Sequence, residues 1–105
     1  MTRFEFIKTL MNFSQITPNL SGESYYNDVE EREMTLYINH AFNLGWINDA
    51  PQFRPNDPIT YFEIQTILMR KSGESMRNYD PKDAQKTINR DEAVNLIYIT
   101  SETNR

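Results

Sequence analysis

The stretch FRPNDPITYFEIQTILMR, Phe53 to Arg70, decides the fold of this chain. Two prolines, Pro55 and Pro58, lead to Thr60, and Glu63 follows three residues later at the head of an apolar run. Threonine at the N-cap with glutamate at the third helical position is a capping box. The hydroxyl accepts from the third amide and the carboxylate accepts from the N-cap amide, so two donors that a helix start leaves orphaned are both satisfied. Each proline fixes its own φ and stiffens the approach. The stretch therefore predicts a rigid turn that sets where a helix begins.

The same signal recurs. Thr2-Arg3-Phe4-Glu5 and Asn89-Arg90-Asp91-Glu92 carry an N-cap residue and a glutamate at the spacing of Thr60 and Glu63. The position after each glutamate holds Phe6, Ile64 or Ala93. Five positions after it stand Leu10, Leu68 and Ile97, and six after it Met11, Met69 and Tyr98. Residues four apart share a helix face, so three capped helices carry a similar apolar stripe. The lead-in recurs as well: Phe53-Arg54-Pro55-Asn56-Asp57 is matched by Tyr79-Asp80-Pro81-Lys82-Asp83, with a longer gap before the next cap. An aromatic followed by x-Pro-x-Asp reads as an anchored turn.

A fourth helix has a different character. Glu30, Glu31 and Glu33 crowd its first turn, which suits the helix dipole. Met34, Tyr37, Ile38, Ala41 and Phe42 form an i, i+3, i+4, i+7, i+8 stripe, and Gly45 supplies the left-handed stop. Trp46 and Ile47 follow and are expected to fold back onto the core. The segment from Ser14 to Val29 reads as loop. No stretch sustains strand alternation, so the predicted class is all-α: a small bundle of three capped core helices with one outer helix.

Composition limits the function. The chain has 105 residues, 38% hydrophobic and 25% charged, which fits one modest globular domain spanning 1–105. A formal charge of −4 argues against a general nucleic-acid binder, which needs a basic face. There is no cysteine, so disulfides and thiolate metal sites are absent. No apolar run is long enough to span a membrane. The single histidine, His40, has no nucleophile motif to serve, and the carboxylates of residues 80–92 lack the order of a calcium loop. No enzyme, metal or cofactor is expected.

Taken together, Tyr26-Asn27-Asp28-Val29, Gly45-Trp46-Ile47-Asn48 and Phe53-Arg54-Pro55-Asn56-Asp57-Pro58-Ile59-Thr60 with Glu63 resemble the repeat of the S-layer homology (SLH) domain family. One complete unit spans about 25–71, with partial units at about 2–13 and 79–100. The resemblance implies a pseudo-threefold spindle, here with partial flanking units, in which the capped helices form a central bundle. It further implies a domain of an exported bacterial protein, located at the cell wall or S-layer. The usual ligand is an acidic secondary cell-wall polysaccharide, often pyruvylated, held by the arginine that follows the helix cap. A guanidinium suits a carboxylate because it donates two parallel hydrogen bonds, and the positive helix start adds to the attraction.

Arg3 and Arg90 hold that arginine position, whereas Tyr61 takes it in the best-matching unit. The expected ligand-binding set is Arg3, Arg90, Asp28, Trp46 and Tyr61, with Tyr61 exposed and Trp46 mostly buried. The family's glycine-rich turn is replaced by NDAPQF, residues 48–53, and the third unit lacks its first helix. A spacer or protein-docking domain of a surface protein is the alternative reading.

Overall fold

The computed structural model describes residues 1–18, 22–73 and 81–103, and these form an all-α bundle. Helix α1 spans Arg3–Phe13, α2 Arg32–Asn43, α3 Tyr61–Ser72 and α4 Arg90–Thr103, with a 3₁₀ turn at Pro81–Asp83. Tyr79 and Asp80, which open the expected third lead-in, lie outside the described residues.

The capping boxes form as the sequence predicts. Thr2 accepts from the Glu5 amide at 3.1 Å while Glu5 accepts from the Thr2 amide at 2.8 Å. Thr60 and Glu63 repeat the exchange at 3.2 and 3.0 Å. Asn89 accepts from the Glu92 amide at 2.9 Å, with a longer return contact of 3.5 Å. Helix α2 has no side-chain cap and ends at Leu44, and Gly45 follows at φ 83°. Gly73 ends α3 at φ 75°.

The residues just before the three caps close a ring. The Ile59 amide donates to the Met1 carbonyl at 2.9 Å, and the Ile88 amide donates to the Ile59 carbonyl at 3.2 Å. The Met1 ammonium completes the circuit on the Ile88 carbonyl at 3.3 Å. Isolated β-bridges, Thr2 with Pro58 and Thr60 with Thr87, lie along the same seam. The helix starts are thus pinned to one another by backbone bonds.

From that ring the apolar stripes converge. Phe6, Ile64 and Ala93 are fully buried, and Leu10, Leu68 and Ile97 lie within 3% exposure of it. Each of the large side chains among them contributes roughly 1.5–3 kcal/mol by leaving water. The next position behaves otherwise: Met11 is buried, Met69 half-buried and Tyr98 52% exposed. Helix α2 packs against α1, and among the described residues no corresponding helix covers the outer face of α4. Trp46, Ile47 and Phe53 fold into the core as expected. The buried Asn39 is satisfied, accepting from the Tyr25 amide at 3.2 Å and donating to the Glu23 carbonyl at 2.9 Å.

The backbone also corrects the register of the lead-ins. The Asp57 amide closes a turn on the Arg54 carbonyl, and the Lys86 amide closes the same turn on the Asp83 carbonyl. The Arg3 and Phe4 amides donate to Asp57 and Pro55; the Tyr61 and Phe62 amides donate to Lys86 and Ala84. The counterpart of Pro55 is therefore Ala84, and Pro81 belongs to the 3₁₀ turn before it. Hydrogen bonding selected the residues nearest the cap over the better-matching residue types upstream.

Candidate functional site

A groove of about 190 Å³ opens between the start of α1, the loop from Ile47 to Phe53, and the outer face of α3. Phe62, Thr66 and Arg70 stand four residues apart and so line one wall as a stripe. Arg3 and Glu63 close one end, and the exposed amide side chains of Asn48 and Gln52 face the wall from the loop.

Arg3 is anchored on several sides. Its Nε donates to the Phe53 carbonyl at 2.9 Å, and its guanidinium lies 4.8 Å from the centre of the Phe53 ring. Its Nη1 pairs with the Glu63 carboxylate. Burial, and then the neighbouring Arg54 cation, lower its pKa from the ordinary arginine value, yet a guanidinium stays charged in proteins. Glu63 uses one carboxylate oxygen to cap α3 and offers the other to Arg3 and, at 3.3 Å, to Arg54. One carboxylate thus serves two arginines.

Arg54 holds a left-handed backbone at φ 61°. The Asp28 carboxylate supports that conformation, accepting the Phe53 amide at 2.8 Å and the Arg54 amide at 2.7 Å. Asp28 therefore shapes the groove's edge through the backbone. Tyr26 donates from its hydroxyl to the Asn48 carbonyl. Burial, and then Asp49, push its pKa up to about 12.

The expected ligand set separates. Arg3 lines the groove, and Asp28 supports its rim. Trp46 is buried, as expected, and meets the groove only through its carbonyl, which accepts from Arg70 Nη1 at 3.3 Å. Tyr61, expected to be exposed, is instead half-buried against the core, because its helix start is drawn onto the Lys86 carbonyl. Arg90 is exposed at the start of α4, away from the groove, and acts electrostatically on Glu5, whose pKa is lowered chiefly by the hydrogen bond from the Thr2 amide. Arg3 thus pairs with the capping glutamate of a neighbouring helix, whereas Arg90 acts on Glu5 only through its field.

The first-turn amides of α1 and α3 are also occupied by the carbonyls of the next lead-in, so they are not free to bind an anion. Sequence reasoning missed Arg70 and the double duty of Glu63. The i, i+4, i+8 spacing of Phe62, Thr66 and Arg70 was readable, but not which face of α3 the fold leaves open. Among the described residues no group of histidine and carboxylate side chains is arranged to hold a metal, and no helix is long and apolar enough to cross a membrane. Comparison of the chain with known protein families, curated proteins and solved structures finds no match.

Proposed function

We propose that the chain is a non-catalytic attachment module of the S-layer homology type that holds an acidic cell-wall glycan in the groove beside α3. The observation that carries this reading is local charge against global charge. The protein is net −4, yet Arg3 and Arg70 line the groove, Glu63 is the one carboxylate among its described lining residues, and Arg54 stands at its rim. Amide side chains and the 44% exposed Phe62 ring supply hydrogen bonds and an apolar face for sugar rings. The SLH-like motifs and the ring of capped helices support the same reading, under which the module belongs to an exported protein and acts outside the cell.

The experiment is co-sedimentation with purified Gram-positive sacculi before and after extraction of the secondary polymer. The protein should pellet with intact sacculi and stay in solution with extracted ones. Equal pelleting in both, or none in either, rejects the glycan reading.

A second reading, docking to another surface protein, draws on α4. Helix α1 buries Ile7 and Met11, whereas the equivalent Val94 and Tyr98 of α4 are 39% and 52% exposed. Two-state association in light scattering, lost in Tyr98→Ser, would favour it.

A further inference from the structure

Resting on the glycan reading of the groove, we infer that its anion contact in this chain is Arg70, the groove arginine that pairs with no carboxylate among the described residues, and that Arg3 is a structural residue neutralised from within. Three arginines stand in or beside the groove. Arg3 and Arg54 both pair with Glu63, and Arg54 also reaches Asp57 at 3.5 Å. Arg70 differs. It is half-buried, lines the groove, and among the described residues makes no ion pair; its Nη1 bond to the Trp46 carbonyl fixes the guanidinium without cancelling its charge. Burying a cation beside a neutral partner leaves an attraction for an anion that a neutralised pair does not offer.

The position suits a glycan carboxylate. Glu63 and Arg70 are seven residues apart on α3, roughly 10 Å along the axis. Phe62 and Thr66 occupy that interval. A sugar lying along the wall with its carboxylate at Arg70 is kept clear of the Glu63 charge at the other end. The same separation makes Glu63 a selectivity element: it repels a second carboxylate at the Arg3 end.

Calorimetric titration with a galacturonate trimer and with its methyl ester, which removes the charge and keeps the sugars, tests the assignment. Wild-type protein should bind the acid and not the ester. Arg70→Gln, which retains a donor for the Trp46 carbonyl, should weaken acid binding about tenfold or more. Lys71→Ala, an exposed neighbour on α3, serves as the control for general charge loss. Glu63→Gln keeps a residue type that supports a capping box and releases Arg3 and Arg54, so it should strengthen acid binding. Thermal unfolding of each variant, with a single cooperative transition well above the titration temperature, confirms that folded protein is compared; Glu63→Gln is expected to melt lower, because it leaves the Arg3 guanidinium without its carboxylate. Undiminished acid binding by Arg70→Gln overturns the assignment to Arg70 and leaves the groove reading standing. No acid binding by the wild type, or equal binding of acid and ester, overturns the carboxylate groove itself.

Discussion

Arg3, the first residue of α1, pairs with Glu63, the third residue of α3, and the two side chains are only 16% and 20% exposed. The contact welds two capping boxes together, because the other oxygen of Glu63 already serves the Thr60 amide. Glu63→Ala removes a cap and leaves a half-buried guanidinium without its carboxylate. The expected loss is about 2–3 kcal/mol, above the value of a cap alone. Urea denaturation would measure it. A loss near 0.5 kcal/mol, as for an exposed pair, would show that the contact does not hold the helices in solution.

Arg54 carries a left-handed backbone that an arginine adopts at a cost. Glycine adopts it freely, so Arg54→Gly should stay within about 1 kcal/mol of wild type despite losing its ion pairs. Arg54→Val places a β-branched residue in the same conformation and should cost about 2 kcal/mol. Chemical denaturation of both variants decides it, and equal losses would mean that the turn relaxes away from φ 61°.

Asp28 holds two amides with one carboxylate. Asp28→Ala leaves the Phe53 and Arg54 amides unpaired at the edge of the core, which should cost about 2 kcal/mol. Hydrogen exchange should rise first at those amides. Unchanged protection there would contradict the role.

Tyr26 is held neutral in the folded protein, with its pKa raised to about 12 from about 10. A raised pKa means that ionisation opposes folding. The contribution is fully present below about pH 10 and is lost as pH rises toward 12. Its size is on the order of 2–3 kcal/mol. Tyr26→Phe should be less stable than wild type at pH 7, through the lost bond to Asn48, and should show a shallower decline above pH 10. Parallel stability curves for the two proteins across that range would remove Tyr26 from the alkaline transition.

Ile64 and Val94 are both apolar and both sit in capped helices, yet they should respond very differently to truncation. Ile64 is fully buried where the helices meet, so Ile64→Ala should cost about 3 kcal/mol. Val94 is 39% exposed, and Val94→Ala should change stability by about 0.5 kcal/mol or less. Thermal or urea unfolding distinguishes them, and a large loss for Val94→Ala would place that face in contact with something in solution.

These contrasts show where local chemistry ends. The caps at Thr2, Thr60 and Asn89, the stop at Gly45, and the stripe through Phe6, Ile64 and Ala93 were legible in the chain, since each depends on residues within two turns of one another. The all-α class followed from them. The groove did not. Whether Arg3 is free or neutralised depends on Glu63, sixty residues away; whether Tyr61 is exposed depends on the carbonyl of Lys86. The third lead-in took its register from the ring of backbone bonds, which a match of residue types to Pro81 does not reveal. Arg70 reads in sequence as an ordinary basic residue in a helix's last turn. It gains a role because the fold leaves that side of α3 uncovered and places a lone carbonyl, Trp46, where a carboxylate would have cancelled its charge.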